Sequence, residues 1–206
     1  MPATEIANAL YAAYTSEVRR RGRTMELDDD TRTVMLDCAE WLADPHGKTG
    51  LMLQGRYGNG KTTMLHAICD IINLLYDSAL STERVQIKFI KAKDIARIGA
   101  DDSQRERYMQ LVTEDLLAID DLGEEPAEIV RFGMTHTPVK DLLAERYSRQ
   151  KFTIVSTNLI NTATSPQLSE HYGERVVDRF REMMKIVVFR HPSYRSRTPE
   201  AGAAQR

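Results

Sequence analysis

Apolar residues in this chain first recur at helical spacing and then gather into short unbroken runs. Residues 1–23 carry Ile6, Leu10, Ala13 and Tyr14 on one helical face, which predicts a short amphipathic helix ending in a charged tip at Gly22. A second helix is predicted from about 31 to 42, with Val34, Met35, Cys38 and Trp41 on one stripe and Pro45 as its stop. Beyond Gly50 the period changes. Residues 51–53 predict a strand, 55–60 a glycine-rich loop, and 61–75 a helix bearing Met64, Ile68, Ile71, Ile72 and Leu75. Residues 85–90 alternate as a strand, 92–98 predict a short helix and 102–112 a polar one. The run 116–119 is wholly apolar, as in a strand buried on both faces of a parallel sheet.

The stretch 123–138, with Pro126, Gly133 and Pro138, reads as loop. Pro138 then opens a helix carrying Val139, Leu142, Leu143 and Tyr147. Residues 152–156 predict a strand, 167–184 a mostly helical segment after a polar connector, 186–189 a last strand, and 197–206 a frayed tail. Strands alternating with helices through one unit give a three-layer α/β sandwich with a mainly parallel sheet.

Size and composition narrow this picture. With 206 residues the chain has room for one domain with a substantial core, and 42% hydrophobic with 28% charged residues is an ordinary globular balance. No apolar run is long enough to cross a bilayer, and the N-terminus lacks the pattern of a secretory signal. Cys38 and Cys69 have no metal-ligand spacing, so buried thiols in a reducing compartment, the cytoplasm, are expected. A net charge of -2 argues against coating nucleic acid over the whole surface. It leaves room for a local basic site, since charge is uneven: Arg19, Arg20, Arg21 and Arg23 cluster early, and Arg175, Arg179, Arg181 and Lys185 late.

The candidate chemistry begins with GRYGNGKT, residues 55–62, a complete phosphate loop between a predicted strand and a predicted helix. Backbone N–H groups of Gly55, Arg56, Tyr57, Gly58, Asn59 and Gly60, with Lys61, Thr62 and Thr63 at the helix N-terminus, suit an anionic polyphosphate. ATP is the expected nucleotide. Lys61 would reach its β and γ phosphates and the Thr62 hydroxyl would ligate Mg²⁺. LLAIDDLG, residues 116–123, ends an apolar strand in two carboxylates at the sheet edge where ligands bind in such folds. Asp120 is the expected Mg²⁺-side carboxylate, acting through water, and Asp121 the group that orients or deprotonates the attacking water. The bland reading of the pair is an acidic turn. A third polar strand tip, Thr157-Asn158, would bring Asn158 (or Thr157) to the γ-phosphate or the lytic water, or would merely cap the following loop. Arg175 and Arg179 share one helix face and could supply charge to a neighbour's nucleotide, or pair with Glu174 and Asp178.

GRYGNGKTT, LLAIDDLG, PVKDLLAERYSRQKFTIVSTNL and YGERVVDRFREM, followed by Ser193-Tyr194-Arg195, together resemble the DnaC/IstB-like family of AAA+ ATPases over roughly residues 31–195. That family contains replicative helicase loaders and helper ATPases of transposition. The resemblance implies a sheet ordered 5-1-4-3-2, Asn158 as first sensor, and Arg179 as arginine finger with Arg175 as companion. It implies ATP-dependent homo-oligomers that bind DNA, single-stranded DNA foremost, and a protein partner such as a replicative helicase or a transposase. Lys91, Lys93, Arg97, Arg105 and Arg107 are the candidate DNA contacts, each equally readable as a solvated charge. Arg195 lies in the family's tail motif and takes no role here. The expected division is a helical extension over 1–48, an ATPase core over 49–196 and a flexible tail over 197–206. Two departures from the family stand out: only about 50 residues precede the phosphate loop, and little follows the last strand where a helical lid would lie. A nucleotide-gated adaptor that hardly hydrolyses ATP and a small P-loop kinase are the competing readings.

Overall fold

The computed structural model describes residues 1–44, 46–78, 86–131, 133–162 and 164–194, so Pro45, Val85, Arg195 and the tail 197–206 lie outside the described residues. In chain order the elements are α1 Ala3–Arg20, α2 Asp29–Ala43, β1 Gly50–Gly55, α3 Lys61–Ser78, β2 Lys88–Lys91 and α4 Ala92–Gly99. A 3₁₀ turn, Asp102–Gln104, leads into α5 Arg105–Thr113, β3 Leu116–Leu122, β4 Ile129–Arg131, β5 Met134–His136 and α6 Pro138–Ser148. The chain continues through β6 Phe152–Thr157, β7 Asn161–Thr162, β8 Ser165–Pro166, α7 Gln167–Tyr172, α8 Glu174–Met183 and β9 Met184–Phe189.

Five strands form one parallel sheet in the order β2-β3-β6-β1-β9. Counting only these strands along the chain, the order is 5-1-4-3-2, as the resemblance implies. β6 sits between β1, which feeds the phosphate loop, and β3, which carries Asp120 and Asp121 near its end. Strand alternation divides the core between two faces. Leu51, Leu53, Leu116, Ala118, Ile154 and Val187 pack under α1, α2 and α3. Met52, Leu117, Ile119, Val155 and Met184 pack against α4 through α8 on the other side. Both faces are therefore covered, which is why the central strands read as continuous apolar runs rather than as alternation.

The two N-terminal helices belong to the first of these cores. α1 buries Ile6, Leu10, Tyr14 and Glu17, and its last turn carries Arg19 and Arg20 at the negative end of the helix dipole. Gly22, at φ +68°, turns the chain out of the helix. Asp28 caps α2 by accepting the Thr31 N–H at 2.8 Å. Trp41 Nε1 donates to the Lys48 carbonyl at 2.7 Å, which joins the end of α2 to the approach to β1. Among the described residues no helix is long and apolar enough to cross a membrane.

Three segments differ from the sequence expectation. The stretch 123–138 contains the antiparallel hairpin β4–β5, whose short strands have Val130 and Met134 exposed and so carry no core-facing pattern. The segment 167–184 is broken at Gly173, φ +84°, into α7 and α8. The polar connector before it holds the small β7–β8 pairing.

A buried arginine ties the second face together. Arg146 on α6 is fully buried, and its guanidinium donates to Leu111 O, Val112 O and Glu114 O at 3.0, 3.2 and 2.7 Å. It also donates to Phe152 O at 2.6 Å and Thr153 Oγ1 at 3.0 Å, so one side chain closes the C-terminus of α5 and holds the start of β6. Burial pushes its pKa down to about 10, which still leaves it charged at neutral pH. Arg146→Met is expected to lose about 3 kcal/mol of unfolding free energy in urea titration, because several buried carbonyls lose their donor. Arg146→Lys is expected not to rescue it, since a point ammonium does not reproduce the planar fork. A loss under roughly 0.5 kcal/mol would contradict this role.

Candidate functional site

β1 runs straight into the phosphate loop, and the loop into α3, so the loop's amides gather at a helix N-terminus. Gly60 has φ +90°, and a Cβ there would come within 2.3 Å of the Tyr14 hydroxyl oxygen. The positive φ favours glycine here, and any side chain would displace the Tyr14 hydroxyl. Asn59 is buried: its amide donates to Phe189 O at 3.2 Å, and its Oδ1 lies 3.2 Å from Lys61 Nζ. Arg56 and Tyr57 project to solvent, and Thr63 is buried in the first turn of α3.

Lys61 is also buried. Its ammonium donates to Gly55 O and Arg56 O at 2.8 Å each and to Asn158 Oδ1 at 2.7 Å. The loop lysine and the tip of β6 are thus already in contact. Asp120 is 1% exposed, and its Oδ1 accepts from Thr62 Oγ1 at 3.0 Å and from Ser156 Oγ at 2.5 Å. Its other oxygen, Oδ2, is buried without a hydrogen-bond partner among the described residues. A buried carboxylate with one open oxygen beside a threonine hydroxyl is a donor set that suits a hard divalent cation.

Asp121 sits at φ +57°, where β3 slips register against β6 between Ile119 and Leu122. Its N–H donates to Ser156 Oγ at 3.0 Å, while Thr157 Oγ1 donates to Leu122 O at 2.6 Å. The carboxylate faces the cleft with Lys91 Nζ 3.7 Å away. Burial first, and then the neighbouring Asp120 charge, raise the Asp121 carboxyl above the ordinary aspartate range; Lys91 and Lys61 pull the other way.

These residues line a cleft of about 1670 Å³ that also takes in Arg21, Arg23, His66, Phe89 and Tyr194. Tyr194 N–H donates to Gly58 O at 2.9 Å, and its hydroxyl meets Thr31 Oγ1 at 2.6 Å and Asp28 Oδ2 at 3.3 Å. The segments before α2 and after β9 therefore brace the loop from outside.

Of the sequence candidates, the structure brings Lys61, Thr62, Asp120, Asp121 and Asn158 to one cleft, and Lys91 with them. It does not bring Arg175 or Arg179 there. Both lie on α8, Arg175 exposed and Arg179 with its guanidinium 5.1 Å from the centre of the Tyr147 ring. Lys93, Arg97, Arg105 and Arg107 are exposed on α4 and α5, Arg97 paired with Asp94 at 2.8 Å.

Ser156, which the sequence shows only as part of a polar strand tip with Thr157 and Asn158, is the residue that donates to Asp120 and accepts from the Asp121 N–H. The pattern along the chain also gives no sign that the Tyr14 hydroxyl reaches Gly60 or that Glu125 is buried. Tyr14 is an ordinary helical apolar position, and Glu125 sits in what reads as loop. Glu125 is nevertheless buried, accepting from Gly123 N–H at 2.8 Å and from the Tyr172 hydroxyl, with His171 Nε2 at 3.6 Å.

No protein-family model matches the sequence, and a search among curated proteins finds no match. Solved structures do share the fold. A crystal structure of the DnaC helicase loader superposes with a TM-score of 0.59 at 22% identity, over 81% of this chain and 93% of that one. Domain III of the Thermotoga maritima replication initiation protein DnaA gives 0.54 at 15% identity, over 87% of this chain and 68% of that one. The replication initiator DnaA bound to AMPPCP and single-stranded DNA gives 0.55 at 15% identity over 82% of this chain, which spans 49% of that longer chain. At these identities the likeness establishes the shared fold and no more.

Proposed function

We propose that this chain is an ATP-hydrolysing AAA+ protein that assembles on DNA and loads or recruits a partner protein such as a replicative helicase. The observation that carries the reading is the convergence of Lys61, Thr62, Asp120 and Asn158 from a phosphate loop and two strand ends on one cleft. The loop amides and the N-terminus of α3 take the phosphates, and Lys61 exchanges its loop carbonyls for the β and γ oxygens. Thr62 and the open oxygen of Asp120 would hold Mg²⁺, which would supply positive charge to the phosphate oxygens. Asp121 orients the attacking water and receives its proton, and Asn158 contacts the γ-phosphate beside it.

Positive charge for the transition state is the remaining need, and the α8 arginines do not line their own cleft. In this reading Arg179, with Arg175, serves the nucleotide of a neighbouring subunit, which makes activity depend on self-assembly. The exposed basic residues Lys93, Arg97, Arg105 and Arg107 supply the DNA face; Lys91, beside Asp121, belongs to the ATP site. A transposition helper would use the same site with a transposase as partner. The Lys91–Asp121 pair also favours a second reading, a nucleotide-gated adaptor, because it engages the hydrolytic carboxylate.

Steady-state ATP turnover measured against protein concentration, with and without single-stranded DNA, separates these readings. Specific activity is expected to rise with concentration and with DNA, and Arg179→Ala to lower it about 1000-fold or more while leaving ATP binding intact. Flat, DNA-indifferent turnover unchanged by Arg179→Ala would sink the trans-arginine reading. ATP-dependent assembly with negligible turnover would favour the adaptor.

The pH profile follows from the raised Asp121 carboxyl. Its ionised form is lost as pH falls through a value above the ordinary aspartate range, so turnover is expected to fall on that acid limb. Lys91→Met removes a cation that stabilises the ionised form, and the limb is expected to move to higher pH. A limb that stays in place, or moves down, would remove Asp121 from the proton-accepting role.

A further inference from the structure

The acidic strand end and the arginine-bearing helix are joined by a buried carboxylate that neither the phosphate loop nor the metal-binding pair requires. Glu125 is 3% exposed. One of its oxygens accepts the Gly123 N–H at 2.8 Å; the other accepts the Tyr172 hydroxyl and lies 3.6 Å from His171 Nε2. His171 Nε2 is itself buried with no hydrogen-bond partner among the described residues. A buried carboxylate is a costly way to fill space, since an apolar residue of similar size packs there without desolvating a charge.

What it holds at each end gives it a use. Gly123, at φ +96°, lies two residues beyond Asp121, and a Cβ there would meet the Leu159 side chain at 2.4 Å. Asp121 is itself in the left-handed region, so the strand end occupies a conformation that persists only under outside restraint. Ser156 and Thr157 restrain it from β6, and Glu125 restrains it from the loop side. At the other end, Tyr172 closes α7 and packs edge-on against Phe180 of α8, with ring centres 6.0 Å apart. Phe180 is the residue after Arg179. A path therefore runs from Asp121 along two residues of backbone to Gly123, by hydrogen bonds to Glu125 and Tyr172, by ring packing to Phe180, and along the α8 backbone to Arg179.

We infer that Glu125 is a positioning residue that fixes Asp121 for water activation and couples its setting to α7 and α8, so that one subunit's hydrolytic carboxylate and the arginine it offers its neighbour move together. The inference rests on the ATPase reading for its functional meaning, whereas the mechanical link stands on geometry alone.

The full chain, as wild type, Glu125→Gln and Tyr172→Phe, tests both parts. Both variants are expected to lower kcat about 10-fold while affinity for a non-hydrolysable Mg²⁺-ATP analogue stays within about 2-fold. A role in packing alone would leave kcat unchanged, or would lower kcat and affinity together through loss of folded protein, and either result overturns the positioning role. In the nucleotide-free protein, Tyr172→Phe is made on α7 but is expected to speed amide hydrogen exchange at Gly123 as well. Faster exchange confined to α7 overturns the link. Failure of the wild type to bind ATP would count against the proposed function, and the exchange measurement would still decide the coupling.

Discussion

A charged carboxylate held out of water at the end of a strand buried on both faces is the constraint around which this molecule is arranged. Asp120 is 1% exposed, and an unpaired charge at such depth costs several kcal/mol, so the chain must bring hydrogen-bond donors to it. Thr62 comes from the first turn of α3 and Ser156 from the tip of β6. Both reach the same oxygen because β6 lies between β1 and β3 in the sheet. The strand order is thus more than a label of fold class. It sets the phosphate-loop helix and a polar strand tip on either side of one carboxylate.

Around that point the backbone departs from regular structure in a coordinated way. β3 slips register after Ile119, Asp121 enters the left-handed region, and Gly123 follows at φ +96°. Each departure has a restraint within hydrogen-bond reach, from Ser156, Thr157 or Glu125. Such over-determined irregularity is how a fold holds side chains in settings that free strands do not sample. The electrostatics follow the same logic. Lys61 and Lys91 face Asp120, Asp121 and Glu124 across the cleft, so the site holds both signs of charge close together. An incoming polyphosphate would compete with the carboxylates for the lysines and would leave the carboxylates to a cation.

Much of this was legible in the amino-acid sequence, for identifiable reasons. The three central strands were readable because burial on both faces leaves unbroken apolar runs, such as Leu116 to Ile119, and the edge strand β2 was readable from alternation. The phosphate loop was readable because its glycines and Lys61-Thr62 stand at fixed spacing between a strand and a helix. What escaped notice depended on distant contacts. The β4–β5 hairpin has no buried face to impose a pattern, since Val130 and Met134 are exposed. Glu125 looks like loop polarity until Tyr172, 47 positions on, is folded against it. Tyr14 reads as one more apolar helical position, and only the fold reveals its hydroxyl beside Gly60. Lys91 was grouped with exposed basic residues because strand register, not sequence, aligns it with Asp120 on the neighbouring strand.

Titration of the protein with ATP, with and without Mg²⁺, for wild type and Lys61→Ala decides whether the cleft is a nucleotide site. Saturable binding is expected that needs the cation for full affinity and weakens about 10-fold or more when the buried ammonium is removed. Absence of binding, or binding indifferent to both Mg²⁺ and Lys61, would mean that this cleft is not a nucleotide site.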